Sequence, residues 1–208
     1  HGKLHFDAKF VVMNPGYNEE NLNKILENVK LLNLNIHLFE SNIFEVSKKS
    51  FKDNPCYLCA RMRRGYLYSK AKELGCNKIA LGHHFNDVIE TVMLNMIFNG
   101  QFSSMMPKLK SDNFEGLELI RPLYFIFEKD IISWAKYNNL QFIDCACSVT
   151  KKGIGKRKQI KDLIECLKEL NPNIDLNIFK STCNVNLNTM ISYHKDGKEF
   201  NFLDDYNK

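Results

Sequence analysis

The chain has 208 residues, of which 44% are hydrophobic and 25% charged, so it can form a real hydrophobic core. This composition argues against wholesale disorder and against collagen-like or coiled-coil repeats, and a chain of this size needs no disulfide scaffold. Its net charge of +5, from 29 basic and 24 acidic side chains, permits a polyanionic partner without requiring one. The sequence has no apolar run of the ~20 residues that span a bilayer and no secretory signal, so we expect a cytoplasmic protein whose seven cysteines are reduced thiols, catalytic thiols or metal ligands.

Hydrophobic periodicity predicts short strands that alternate with helices. In chain order we expect a strand at 8–13, a helix at 18–33, a strand at 35–39, a loop at 42–54, a helix at 59–74, a strand at 78–81, a helix at 85–97, a loop at 99–116, a strand at 117–120, a helix at 127–137, a strand at 141–143, and helices at 160–170 and 174–183. This order predicts an α/β fold, a layered parallel sheet with flanking helices. We expect residues 1–150 to form this domain, and residues 151–208 to add a basic segment and C-terminal helices packed on it.

Two pairs of cysteines are candidate ligands. Cys56 and Cys59 stand at a predicted loop-to-helix junction, where a helix N-terminus and nearby arginines favour thiolates. Cys145 and Cys147 directly follow a predicted strand, at the end of the sheet where α/β proteins place their sites. Spacing alone fits a redox dithiol, a four-thiolate zinc site or three ligands of an iron–sulfur cluster. The remaining cysteines are predicted to be small core residues, namely Cys76, Cys166 and Cys183.

A polar segment, Gly82–Thr91, begins at a strand end and continues into the helix at 85–97. On that helix Asp87, Glu90 and Thr91 share the side opposite the apolar stripe. Asp87 fits a catalytic or metal-binding carboxylate, and it also fits a simple first-turn helix charge. His83 and His84 likewise fit either a site or a packed pair.

Basic residues form two runs, Arg61–Arg64 and Lys151–Lys158, and each follows one of the cysteine pairs. Such runs are usually solvated surfaces. Their position beside the thiols instead favours a polyanion whose phosphates are held at the site.

Several motifs together resemble one family. The segments Pro-Cys-Tyr-Leu-Cys-Ala-Arg-Met-Arg-Arg-Gly, Lys-Ile-Ala-Leu-Gly-His-His-Phe-Asn-Asp-Val-Ile-Glu-Thr, Met-Pro-Lys-Leu, Ile-Arg-Pro-Leu and Asp-Cys-Ala-Cys occur in the order expected of the tRNA 2-thiocytidine synthetases. The chain therefore resembles this branch, the TtcA group, of the PP-loop ATP pyrophosphatases from about residue 8 to 191. The resemblance implies an enzyme that uses ATP and Mg²⁺ to adenylate a cytidine carbonyl oxygen in the anticodon loop of tRNA and then delivers sulfur to C2.

The resemblance also assigns site residues. It implies that Cys56, Cys59 and Cys145 hold a 4Fe-4S cluster, with Cys147 as the less favoured third ligand. Asp87 matches the family's acidic residue in the ATP and magnesium site. The segment beside the nucleotide matches Gly82 and His83, and Arg63 matches a basic residue next to the cluster that would steady the charge of the adenylated intermediate. The implied partners are tRNA, ATP and a sulfur donor, either hydrosulfide or a cysteine desulfurase, and a homodimer is left open.

The sequence also departs from the family pattern. Where the family often has His-His-Arg-Asp-Asp, the chain has His84-Phe85-Asn86-Asp87, which puts metal affinity or substrate identity in question. The pyrophosphate-binding Ser-Gly-Gly-x-Asp-Ser loop is absent, and the sequence starts at His1 where a second strand is expected. We expect that the first βα unit is missing from the sequence, although a degenerate member that does not cleave ATP would look the same. Two further functions also fit the residues: a cluster-dependent enzyme acting on another nucleobase, and a non-catalytic, zinc-bearing module that binds RNA or a protein partner.

Overall fold

The structure is a computed structural model that describes residues 5–44, 46, 55–143 and 155–206. The chain forms two compact units. Unit 1 consists of His1–Phe85 and Met106–Gly155, and unit 2 consists of Asn86–Met105 and Lys156–Lys208. Within the described ranges, no helix combines the length and the apolar character that crossing a bilayer requires.

Unit 1 begins with a strand–helix–strand element, β1 (Phe10–Asn14), α1 (Glu19–Leu31) and β2 (Ile36–Glu40). The two strands pair in parallel, with Phe10 opposite Ile36. Helix α1 starts where the sequence places a cap, since the Asn18 side chain accepts a hydrogen bond of 3.0 Å from the Asn21 backbone N–H. These three elements confirm the predicted ones to within a few residues.

The next helix, α2 (Pro55–Glu73), begins four residues before its predicted start at Cys59. Its first described residue is a proline, which fits a first helical turn because the proline lacks only an N–H that would have no intrahelical partner there. The helix ends before Gly75, whose φ of +70° is the left-handed conformation that commonly terminates helices. Strand β3 (Lys78–Ala80) and helix α3 (Phe85–Asn99) follow, and α3 begins at the last residue of the first segment of unit 1.

A second sheet in unit 1 contains β3, β4 (Lys108–Lys110) and β5 (Glu118–Ile120), in the order β3-β5-β4. Strands β3 and β5 are parallel, whereas β4 runs antiparallel to β5. The sequence predicts a loop where β4 lies, because a three-residue edge strand with two lysines carries no hydrophobic signature. The sheet packs on a small core, which consists of Tyr68, Leu117 and Leu119 with Ile79, Leu81 and Phe114. The predicted α/β fold with parallel strands and helical connections is thus confirmed.

Helix α4 (Glu128–Tyr137) matches its prediction, but the predicted strand at 141–143 is wrong. The structure has no strand there. The Gln141 backbone instead pairs with the side-chain amide of Asn28, donating to Oδ1 at 3.0 Å and accepting from Nδ2 at 2.6 Å. A side chain distant in sequence thus satisfies the backbone groups that a strand would have satisfied.

Unit 2 contains most of α3 and the C-terminal elements. These are α5 (Lys156–Leu170), α6 (Ile174–Cys183), a short 3₁₀ helix (Leu187–Thr189), the hairpin strands β6 (Ser192–Lys195) and β7 (Lys198–Asn201), and α7 (Leu203–Tyr206). Its buried apolar residues are Val88, Ile89 and Val92 on α3, Ile160 and Ile164 on α5, and Ile178 on α6. The predicted stripe on α3 is buried only in its first half, since Met96 and Ile97 are exposed. The predicted boundary near residue 150 stays a prediction.

Candidate functional site

The two residues of the first predicted cysteine pair lie on one helix. The backbones of Cys56 and Cys59 are in the first two turns of α2, and residues three apart on a helix share a face. Cys59 is half-buried, and the Cys56 side chain lies outside the described residues. Cys56 is the second and Cys59 the fifth residue of the helix as described, so both lie near its N-terminus, which favours anions such as thiolates.

The second cysteine pair lies outside the described residues, so the choice between Cys145 and Cys147 as a third ligand stays a prediction. The described residues contain no group of three or more His, Cys, Asp or Glu side chains placed to hold a metal ion. Cys166 and Cys183 are exposed, so their prediction as core residues is wrong, and Cys76 is half-buried. On α5 and α6 the apolar contacts are made by isoleucines, which leaves these two thiols on the surface.

Arg63 lies on α2 against the segment that follows β2. Its guanidinium carbon is 5.7 Å from the centre of the Phe44 ring, a cation–π distance. The Phe44 backbone N–H in turn donates to the Pro15 carbonyl at 3.1 Å, just beyond β1. Arg63 is therefore held near the carboxyl ends of β1 and β2, where α/β proteins bind their ligands.

Asn14, at the end of β1, is a structural residue of this edge that the sequence does not single out. Its side chain is buried, accepts hydrogen bonds from the backbone N–H groups of Gly16 and Tyr17, and donates to Glu40 at the end of β2 at 3.1 Å. One amide thus fixes the turn after β1 and ties it to the neighbouring strand. The Asn-Pro-Gly sequence indicates a turn, but not this cross-strand bond.

Gly82 and His83 lie where the sequence predicts them, directly after β3. The Leu81 N–H donates to the Ile120 carbonyl at 2.9 Å, so Gly82 leaves the sheet beside the end of β5. Gly82 is exposed, and a Cβ built on it would meet no atom within 4 Å. The backbone here has open space beside it, as an approaching ligand needs, and the His83 side chain is half-buried.

Asp87 belongs to an ion-pair cluster in unit 2. Arg157 Nη1, from the first turn of α5, contacts Asp87 Oδ1 at 2.6 Å and Glu90 Oε2 at 3.0 Å. The Glu90 side chain is only 7% exposed, the Asp87 side chain 20% and the Arg157 side chain 49%. Thr91 also lies on this side of the helix, where its hydroxyl donates to the Asp87 carbonyl at 2.7 Å.

The predicted polar side of α3 is thus confirmed. The structure adds that Arg157 is the cation paired with its two carboxylates. The sequence shows Arg157 only as one member of a basic run, because no spacing rule links two residues that are 70 positions apart. Two carboxylates and one guanidinium leave a net negative charge. Carboxylate oxygens are the ligand type that Mg²⁺ prefers, so Asp87 fits a magnesium ligand by its chemistry. A cation there would share the carboxylate with Arg157.

Arg121 connects two of the sequence motifs. It directly follows β5, and its backbone N–H donates to the Pro107 carbonyl at 3.0 Å. Its guanidinium Nη1 donates to the Met106 carbonyl. The Met-Pro-Lys-Leu and Ile-Arg-Pro-Leu motifs therefore form one antiparallel pair of strands, closed at the carboxyl end of β5 by this arginine.

The chain is similar to proteins of a known family. The family profile of the PP-loop domain matches residues 19–152. A tRNA-cytidine(32) 2-sulfurtransferase of Ralstonia pickettii is 39% identical over 186 residues, which cover 86% of the chain and 58% of that protein. One of Geobacter metallireducens is 32% identical over 182 residues, covering 86% of the chain and 70% of that protein.

A solved structure shares the fold. The U34-tRNA thiolase NcsA from Methanococcus maripaludis, solved with its [4Fe-4S] cluster, superposes with a TM-score of 0.64 and 21% identity. The match covers 82% of the chain and 59% of the thiolase. The chain thus spans less than two thirds of the length of this structure and of the Ralstonia relative.

Proposed function

Because the chain belongs to the PP-loop family, in its tRNA-cytidine(32) 2-sulfurtransferase branch, we propose that it acts in ATP-dependent thiolation of a cytidine in the anticodon loop of tRNA. The observation that carries this proposal is the similarity to proteins of that name over 86% of the chain. In the proposed reaction the C2 oxygen of cytidine displaces pyrophosphate from ATP, and sulfide then displaces AMP, which keeps that oxygen.

The carboxyl end of β3 and β5 is the proposed nucleotide side of unit 1. Gly82 and His83 leave the sheet there, and the open space beside Gly82 lets a ligand approach the backbone closely. In open α/β sheets, ligands bind outside the carboxyl ends of the strands. Arg63 is held near the carboxyl ends of β1 and β2, in the other sheet of unit 1. It would supply positive charge where negative charge builds up on the adenylated base.

Asp87 is the proposed magnesium ligand. Its carboxylate is fixed in the first turn of α3 by Arg157, and the buried Glu90 anchors the same guanidinium. The fixed rotamer lowers the entropy cost of presenting the oxygen atoms to a cation. Mg²⁺ held there would neutralise charge on the ATP phosphates.

Cys56, Cys59 and Cys145 are the proposed ligands of a 4Fe-4S cluster, with Cys147 as the alternative third ligand. The residues described fit this group in part: two thiol positions share one face at the start of α2, and cysteine thiolates are the usual ligands of such clusters. When bound, a cluster with three protein ligands supplies one iron at which a sulfur atom can bind.

The proposed function is tested by deleting the gene and measuring thionucleosides in hydrolysed tRNA by mass spectrometry. We expect 2-thiocytidine to disappear, to return with the wild-type gene, and to stay absent with Asp87→Ala. Unchanged 2-thiocytidine in the deletion strain would exclude the proposal. Loss of a different thionucleoside would show that the protein acts on another base.

A further inference from the structure

The arginines of unit 1 form no ion pairs within the described part of the chain, whereas several of its lysines do. The chain has five arginines, and Arg157 in unit 2 is paired with two carboxylates. The arginines that lack a carboxylate partner among the described residues are Arg61, Arg63, Arg64 and Arg121. The paired lysines of unit 1 are Lys24, Lys70, Lys78 and Lys108. Arg61 and Arg64 are exposed, whereas Arg63 and Arg121 are half-buried. Because half-buried cations are normally paired, these two would be stabilised by an anion from elsewhere.

Arg121 is half-buried at the end of β5. Only a neutral carbonyl, that of Met106, accepts from its Nη1, and its buried Nε has no hydrogen-bond partner among the described residues. Burial lowers the pKa of the Arg121 guanidinium, and the neighbouring phenols of Tyr124 and Tyr68 only partly oppose this. The protein thus holds a partly desolvated positive charge at the carboxyl end of β5.

Arg64, on α2, is the second guanidinium group of this region. Arg64 and Tyr68 are four residues apart on α2 and so share a helix face. Tyr68 is buried in the core beside Leu117 and Leu119. Burial raises the pKa of the Tyr68 phenol, and the charges of Arg64 and Arg121 both oppose that rise. Tyr68 packs in one cluster with Leu119 of β5, and Arg121 directly follows β5, so the helix that carries Arg64 lies against the strand end that carries Arg121.

We propose that Arg64 and Arg121, with the Tyr68 hydroxyl, form a phosphate-binding subsite at the carboxyl end of β5. Guanidinium groups bind phosphate through paired, charge-assisted hydrogen bonds. The subsite lies beside the point where Gly82 leaves β3, because the Leu81 N–H bonds the carbonyl of Ile120. The inference rests on the proposed function only for the source of the phosphate, which is either ATP or the backbone of tRNA.

The test measures ligand affinity of purified protein carrying Arg121→Gln or Arg64→Gln, with Lys72→Gln, at an exposed position of the same helix, as the control. Dissociation constants are measured for ATP, for adenosine and for an unmodified tRNA transcript at several salt concentrations. We expect each of the two variants to weaken one phosphate ligand by about tenfold or more, the effect of losing a charge-assisted hydrogen bond. Lys72→Gln should change the affinity by less than about twofold, as for a solvated charge.

The ligands distinguish the two sources. If the subsite binds a phosphate of ATP, the substitutions weaken ATP binding and leave adenosine binding unchanged. If it binds a phosphate of the tRNA backbone, they weaken tRNA binding and lower the salt dependence of that binding by about one ion. The proposal is overturned if wild-type protein binds ATP or tRNA and neither variant weakens that binding. It is also overturned if the variants weaken adenosine binding as much as ATP binding, or if Lys72→Gln has the same effect as they have. Arg64 is exposed, so its variant decides the matter should Arg121→Gln fail to fold. The deletion strain tests the proposed function separately.

Discussion

Replacing Arg157 with Met should destabilise unit 2, because Asp87 and Glu90 would lose their ion pairs with the guanidinium. Arg157 Nη1 contacts Asp87 and the nearly buried Glu90 at 2.6 and 3.0 Å. A hydrogen bond to a charged group contributes about 1.5–3 kcal/mol, but the 49% exposure of Arg157 lets water replace part of it. We therefore expect a loss of about 2–4 kcal/mol in the free energy of unfolding. Met and Arg have similar helix propensities, so α5 itself is hardly changed.

The assay is urea unfolding followed by circular dichroism, with Lys158→Met as the matched control. Lys158 is the next residue on α5 and pairs with Asp162 at 3.3 Å, with both side chains mostly exposed. Such a pair contributes about 0–1 kcal/mol. In a Glu90→Gln background the Arg157 substitution should cost about 1–2 kcal/mol less, because the two groups interact directly. Equal losses for Arg157→Met and Lys158→Met would refute the reasoning.

Three other predictions concern single features. Gly75→Ala should destabilise the protein by about 1 kcal/mol, because Gly75 has a φ of +70° that alanine adopts only with strain. Gly65→Ala should stabilise it by about 0.5–1 kcal/mol, because Gly65 lies inside α2 and alanine has the higher helix propensity. Both changes are measured by urea unfolding. Hydrogen bonds from two lysines lower the pKa of Glu118 below 4.5, so its stabilising effect is present above that pH and is lost as the pH falls through the lowered pKa. Glu118→Gln should therefore flatten the acid side of a plot of urea midpoint against pH, and an unchanged slope would contradict this. Cys145→Ala should abolish bound iron and visible absorption after anaerobic purification while Cys147→Ala should not; the opposite result would make Cys147 the third ligand.

Local sequence patterns predicted most of the fold because local physics decides those elements. Helix α6 matches its predicted range, and the end of α2 follows from Gly75. The prediction errs where residues distant in the sequence, or charged residues at a sheet edge, determine the secondary structure. The strand predicted at 141–143 is absent because Asn28 binds the Gln141 backbone, and β4 is formed by lysines at a sheet edge.

The sequence-based prediction lacks the hairpin formed by β6 and β7, although the signal for its turn is local. Asp196 and Gly197 have φ values of 51° and 75°, the backbone of a two-residue hairpin turn. The Asp-Gly sequence favours this turn, but the polar strands beside it hide the alternation that a strand search looks for.

The candidate site was predictable where one short segment contains it. Gly82, His83 and Asp87 lie together in the sequence, so their placement after β3 and in the first turn of α3 follows from strand and helix limits. The partners of these residues could not be predicted. Arg157 reaches Asp87 across 70 positions, and the environment of Arg121 depends on a helix far away in sequence.

The composition of unit 2 from two separate chain segments has a consequence for biosynthesis. Val88, Ile89 and Glu90 are buried on α3, yet α5 and α6 of the same unit leave the ribosome only after the intervening part of unit 1. Long-range contacts of this kind form slowly, and domains generally fold as units while synthesis proceeds. Until residue 157 leaves the ribosome, the nascent chain exposes the apolar face of α3, and Glu90 cannot yet form its ion pair with Arg157. A chaperone that binds apolar helices would find its target here during that interval.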